Sequence, residues 1–298
     1  MPRQPKKLHS VRLYVAAMAA ALFVSGCGSQ NTRLDDVATD ITPAQIVAGC
    51  CYEAGAPHPA WAIELADANA EALRQLGLIQ LRPGHMTRQP EATALLQGAL
   101  KPLDVVFFHN DNRVSGLLIP GQFTHGAVYI GTEDQLRAAG LWHLPALAPW
   151  RDAIKAGAIY LEAVDGGVRL APAEIVLDTD AVVALRPNAT NRAAALTRGM
   201  ARMGVPFDMR FDASDPTELF CAELIALMYP EADIPRTPVP GRETIMIDGI
   251  VAGVLSGELP FDLVGYVAAT SRGGARALSV RDLALDVRNN WPAVAQTN

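Results

Sequence analysis

Between Leu103 and Arg186 the chain changes its hydrophobic rhythm, and that stretch limits the fold more than any other. Leu103-Asp104-Val105-Val106-Phe107-Phe108-His109 is a run of β-branched and aromatic residues, which reads as a buried strand. Residues 125–130 read as a second strand stopped by Gly131, 158–164 as a third, 168–170 as a short fourth and 181–186 as a fifth. Asp165-Gly166-Gly167 between the third and fourth is a strong turn signal. Helical patterns bracket these runs, at 133–139, 172–177, 189–203 (capped by Asn188 and closed by Gly204) and from Phe220 to Met228. The pattern predicts an α+β domain, a small antiparallel sheet with helices packed to one side.

Upstream, Thr42-Pro43 reads as an N-cap and first-turn proline for a short helix ended by Gly49. A longer helix opens at Pro59, carries Trp61, Leu65, Ala68, Ala72 and Leu76 on one face, and ends at Gly77. Residues 82–90 read as a loop and 91–97 as a further helix, with His58 and His85 as solvated loop residues. Downstream, 236–260 is rich in Pro and Gly and reads as irregular, apart from an apolar turn near Ile250. Residues 261–268 read as an edge strand, and the tail after Ser271 as polar and loose. The expected organisation is a leader at 1–26, a tether at 27–41, a helical extension at 42–100, the main domain at 101–270 and a tail at 271–298.

The leader carries Arg3, Lys6, Lys7 and Arg12, no acid, and an apolar run from Val11 to Val24. That order is an export signal, and the run is short for a membrane span. Val24-Ser25-Gly26-Cys27 resembles a bacterial lipobox, which implies lipidation of Cys27 and a membrane anchor. Gly28 and Ser29 follow instead of the Asp linked with inner-membrane retention, so the expected place is the outer membrane, facing the periplasm. The alternative is an ordinary secretory signal cut nearby. The formal charge is −6. Without the leader's four positives, 21 bases face 31 acids, a balance near −10, and a nucleic-acid partner is not expected. Spare thiols pair in an oxidising compartment. Cys50 and Cys51 are adjacent, and adjacent cysteines rarely bridge each other because the ring is short. Their state stays open, and a bridge from either to Cys221 would remove a candidate nucleophile.

The chain lacks His-Glu-x-x-His, Cys-x-x-Cys, Gly-x-Ser-x-Gly and the glycine-rich phosphate loops. No metal or cofactor is expected. The remaining chemistry is a thiol. Cys221 stands at the expected start of a helix, and first-turn N–H groups favour a thiolate and can hold an oxyanion. Asp215-Pro216 with Glu218 is a competing helix start; the expectation is a turn at 215–219 and a helix from Phe220. His125 is the polar member of an otherwise apolar strand, and Gly126 beside it lets another backbone come close. Glu162 is the one charge among Ala158-Ile159-Tyr160-Leu161-Glu162-Ala163-Val164, and a buried carboxylate needs a partner. An imidazolium would serve, as in catalytic triads. Asp165, Asp178 and Asp180 are fallback choices. The bland readings are an inert core thiol among Phe220, Leu224, Ile225 and Met228, a surface histidine, and a solvated Glu162.

At these residues the sequence resembles the permuted papain-like hydrolases of the YaeF/YiiX type, relatives of the NlpC-type cell-wall hydrolases. The resemblance rests on Leu103 to Phe108, on Phe123-Thr124-His125-Gly126-Ala127-Val128-Tyr129-Ile130-Gly131, on Phe207-Asp208 and on Phe220-Cys221-Ala222-Glu223-Leu224-Ile225, and it spans roughly 100–270. In that branch the His strand precedes the Cys helix, as here. The resemblance implies Cys221 as nucleophile, His125 as base, Glu162 as third member and a thioester intermediate. Two positions depart from the family pattern. Leu103 stands where a Gly usually precedes the Asp, and Phe207 where a Tyr usually does. The expected activity is hydrolysis of an amide or peptide bond, with peptidoglycan as partner. The alternatives are a lipid or other acyl-ester hydrolase or acyltransferase, and a non-catalytic binding lipoprotein.

Overall fold

The computed structural model describes residues 40–51, 60–188, 190–270 and 274–291. The leader, Cys27, His58 and nearly all of the tether lie outside the described residues. The strands are β1 (Asp104–His109), β2 (His125–Tyr129), β3 (Ala158–Val164), β4 (Gly167–Pro172), β5 (Ala181–Pro187), β6 (Thr237–Val239), β7 (Arg242–Thr244), β8 (Phe261–Ala269) and β9 (Ala275–Leu278). Seven of them form an antiparallel sheet in the order β4-β3-β2-β1-β5-β8-β9, and β6 and β7 form a separate hairpin. The fold is α+β, with a larger sheet than expected. β1 is central and covered on both faces, with Val105, Val106 and Phe107 fully buried, which is why it reads as a continuous apolar run.

Asp104 is buried at the start of β1 and accepts two bonds from Arg186 of β5, from Nε at 2.8 Å and Nη2 at 2.6 Å. The pair satisfies a charge that burial would otherwise expel. Leu103, just before it, has φ 75°. That left-handed backbone costs a non-glycine residue roughly 1–2 kcal/mol, which accounts for the Gly usual at this position. Here the side chain is buried, the N–H donates to Tyr129 O at 2.6 Å, and the carbonyl accepts from the Tyr229 hydroxyl at 2.7 Å.

Several expectations are corrected. Residues expected to be irregular form the helix Ile247–Ser256 and the β6–β7 hairpin. The first seven residues of that helix, Ile247 to Gly253, are all buried. β8 lies between β5 and β9, so it is not an edge strand. Beyond Ser271 the chain forms β9 and the helix Val280–Asn290, which starts with a Ser279/Asp282 capping box and buries Leu283, Ala284 and Val287. The helix expected from Asn188 is capped by Asn191 and runs Arg192–Met200. Two further short helices, Val114–Leu118 and Arg151–Lys155, precede β2 and β3.

In the N-terminal extension the long helix is broken at Asn69 into Ala60–Ala68 and Ala70–Gly77. The stripe expected to face inward faces out: Trp61, Leu65 and Leu76 are exposed. The inner side is carried by Ala66, Ala70, Leu73 and Gly77, which line a cavity described below. Cys50 and Cys51 are joined to each other, contrary to the expectation for neighbours, and Cys221 is a free thiol.

The loop that delivers β2 is held by one buried carboxylate. Asp248, in the first turn of the Ile247–Ser256 helix, accepts the N–H groups of Gln122 (2.6 Å) and Phe123 (2.9 Å). Burial pushes its carboxyl up to about 7 against those two bonds. Gly121 has φ +108°, and a Cβ there would lie 2.5 Å from Asp248 Oδ2, so the loop passes only with glycine. Asp248→Ala leaves two buried N–H groups unmet at roughly 1–3 kcal/mol each. Urea denaturation should show a loss of about 2 kcal/mol or more; a loss below about 0.5 kcal/mol contradicts the clamp.

Candidate active site

The Cys221 helix runs Cys221–Met228, with Phe220 as N-cap and Cys221 as its first residue. Residues 215–219 form a turn, closed by the Thr217 N–H to Asp215 Oδ1 at 2.9 Å. The helix start is pinned from outside. Leu219 N–H donates to Pro206 O (2.9 Å) and Asp208 N–H to Leu219 O (3.1 Å), so the chain before the N-cap is bridged to 206–208. Buried Asp208 accepts the N–H groups of Arg210 and Asp212. Glu223, the third helical residue, reaches back to the Phe220 N–H, the second half of a capping box. Burial, helped by the Asp208 charge, pushes its carboxyl up to about 7.

His125 opens β2, and its ring is stacked on Phe108 at 5.7 Å between centroids. Gly126 next to it makes room for side chains, not for another backbone. A Cβ there would lie 2.8 Å from the Phe107 ring and 3.1 Å from Ile225 Cδ1, so its absence lets the Cys221 helix settle on β2. His125 Nε2 lies 2.9 Å from Glu162 Oε2. The carboxylate is an acceptor, so Nε2 carries the proton and Nδ1 is the atom left to the thiol. Cys221 is the imidazole's other hydrogen-bond partner. Burial opposes the imidazolium, but the Cys221 bond and the Glu162 bond outweigh it, and the pKa rises to about 10.

The sheet register brings Glu162 there. Ala127 of β2 pairs with Glu162 of β3, so Glu162 stands diagonal to His125 on one face. Across the next ladder Glu162 pairs with Arg169 of β4. Arg169 donates to Glu162 Oε1 from Nε (2.9 Å) and Nη2 (2.8 Å). The Glu162 side chain is 4% exposed. Burial raises its pKa, yet the His125 bond, the imidazolium charge and Arg169 hold it below the ordinary carboxylate value. Arg169 was not among the expected residues. The signal was available, because a two-residue turn at Asp165-Gly166 sets 162 against 169.

The fallback acids are elsewhere. Asp165 takes Arg74 Nη1 at 2.9 Å, Asp178 takes the Gly84 N–H and Thr87 hydroxyl, and Asp180 takes Arg82 and the His85 N–H. All three tie the N-terminal extension to the main domain. Cys221 itself is 5% exposed and lines a cavity of about 330 Å³. Leu73, Ile119, Phe123, Phe211, Phe220 and Met246 make much of its wall. Its charged members, Asp67 and Arg242, pair with each other at 2.7 Å.

The family described as permuted papain-like amidase enzyme, YaeF/YiiX, C92 family, matches residues 99–243. No curated protein and no solved structure matches the chain. The matched segment holds His125, Glu162, Arg169 and Cys221 and leaves outside it the N-terminal helices and Met246, Ile247 and Trp291, which also line the cavity.

The raised imidazole pKa has a consequence for stability. The folded chain keeps a proton that the unfolded chain, at the ordinary value of 6.5, releases earlier. The linked stability is fully present below about pH 6.5 and is lost as pH rises through about 10. Wild type should therefore lose more unfolding free energy than His125→Ala between about pH 7 and pH 10, measured by urea denaturation at each pH. Equal losses contradict the arrangement.

Proposed function

We propose that this chain, a cysteine hydrolase whose residues 99–243 belong to the permuted papain-like amidase family, cleaves its substrate through a thioester on Cys221. The observation that carries the reading is the hydrogen-bonded line from Cys221 through His125 to Glu162. His125 Nδ1 takes the thiol proton, and Glu162 fixes the tautomer and holds the imidazolium. The thiolate attacks an amide carbonyl, the amine leaves with the proton from His125, and water then cleaves the thioester with His125 as base. Arg169 supports Glu162 from behind and keeps it charged.

The basic leader and Val24-Ser25-Gly26-Cys27 support a lipid-anchored protein of the bacterial envelope, at the outer membrane and facing the periplasm. There a peptide or amide bond of peptidoglycan is the natural substrate. The apolar cavity beside the thiol favours a second reading, in which the acyl part is a hydrocarbon chain and the bond is a lipid amide or ester.

Cys221→Ala should abolish turnover, and His125→Ala should lower kcat by about 10²–10⁴. Iodoacetamide should label Cys221 rapidly near neutral pH in wild type and slowly in His125→Ala. Equal, slow labelling in both would leave a binding lipoprotein without catalysis. Digests of purified muropeptides and of lipid esters separate the two substrate readings: cleavage of the esters alone removes peptidoglycan.

A further inference from the structure

We infer that Thr124 donates its hydroxyl to the oxyanion that forms when Cys221 attacks; the inference rests on the thioester reading above. Thr124 immediately precedes His125. Its N–H donates at 3.0 Å to the carbonyl of Phe108, the residue that His125 faces in the β1–β2 register, and this bond fixes its backbone. Thr124, Cys221 and Ala222 line one cavity.

The hydroxyl is unusual for its setting. Thr124 is 6% exposed, and its Oγ1 is buried with no hydrogen-bond partner in the protein. A buried threonine hydroxyl is ordinarily tied to a nearby carbonyl. Valine would fill the same volume without a polar atom to satisfy. The hydroxyl therefore makes no bond in the resting fold, and Thr124 lines the cavity that holds the nucleophile.

In the proposed step the Sγ–C bond forms and the carbonyl π pair moves onto oxygen. That oxygen accepts two hydrogen bonds, from the Thr124 hydroxyl and from the backbone N–H of Cys221, a first-turn amide with no acceptor inside its helix. The pair returns as the C–N bond breaks, and the amine departs with the proton that His125 took from the thiol. Thr124 keeps its own proton throughout.

The test compares Thr124→Val and Thr124→Ser in the full chain, with p-nitrophenyl butyrate as the substrate probe and Cys221→Ala as the control. Thr124→Val should lower kcat by about 100-fold with KM within about twofold, and Thr124→Ser should restore most of it. Its Tm should equal or exceed that of wild type. Iodoacetamide labelling of Cys221, a displacement at carbon that forms no oxyanion, should be unchanged in Thr124→Val. A Tm several degrees lower, or a kcat within about twofold of wild type while Cys221→Ala is inactive, overturns the role of Thr124 alone. Turnover that survives in Cys221→Ala, or that is missing in wild type, overturns the thioester reading and this inference with it.

Discussion

A carboxylate with 4% of its side chain exposed stays charged only if its partners are built in. Glu162 has two, the His125 imidazole on one oxygen and the Arg169 guanidinium on the other. Both follow from strand register, so the site's electrostatics are a property of the sheet. A one-residue slip of β3 would turn Glu162 to the other face and leave His125 without its charge partner. The short Asp165-Gly166 turn and the ladder from β1 to β3 prevent that slip. The thiol depends on the same register, because it is the imidazole held by Glu162 that meets it.

Segments on either side of the matched domain complete what the sheet begins. The N-terminal helices supply one wall of the cavity and are tied down by Arg74–Asp165, Arg82–Asp180 and Asp67–Arg242. From the C-terminal side, Asp248 holds the loop before β2. Gln122 of that loop also donates to the Tyr266 hydroxyl and accepts from Asn290. The position of His125 is thus set by residues more than a hundred positions downstream. A small change in the Ile247–Ser256 helix should be felt at the imidazole, since the clamp involves backbone N–H groups with no slack.

Much of this was legible where local chemistry and tertiary demand agree. β1 is a run of β-branched and aromatic residues, β2 is a small and apolar run behind His125, and both are buried. The Cys221 helix begins and ends where its apolar run does, and Glu162 stood out as the lone charge of its strand. The failures have physical causes. The Ile247–Ser256 helix carries Ile247, Ile250, Val251 and Val254 at helical spacing, but Gly249, Gly253 and the surrounding prolines hid it. The C-terminal helix was masked by polar composition, although Ser279, Asp282, Leu283 and Val287 spell a cap and a buried stripe. The extension was read on the wrong face because Trp61 and Leu65 outweighed the small residues that line the cavity. Arg169 needed a register count, and the bond between Cys50 and Cys51 ran against the rule for neighbours.

The account turns on a covalent bond to one sulfur, and mass spectrometry reads that bond directly. The protein is mixed with p-nitrophenyl butyrate, quenched in acid within seconds and digested. The account predicts a butyryl mass on the peptide that contains Cys221, absent from Cys221→Ala and strongly reduced in His125→Ala. A butyryl mass on another residue, or substrate turnover with Cys221 never acylated, would contradict it.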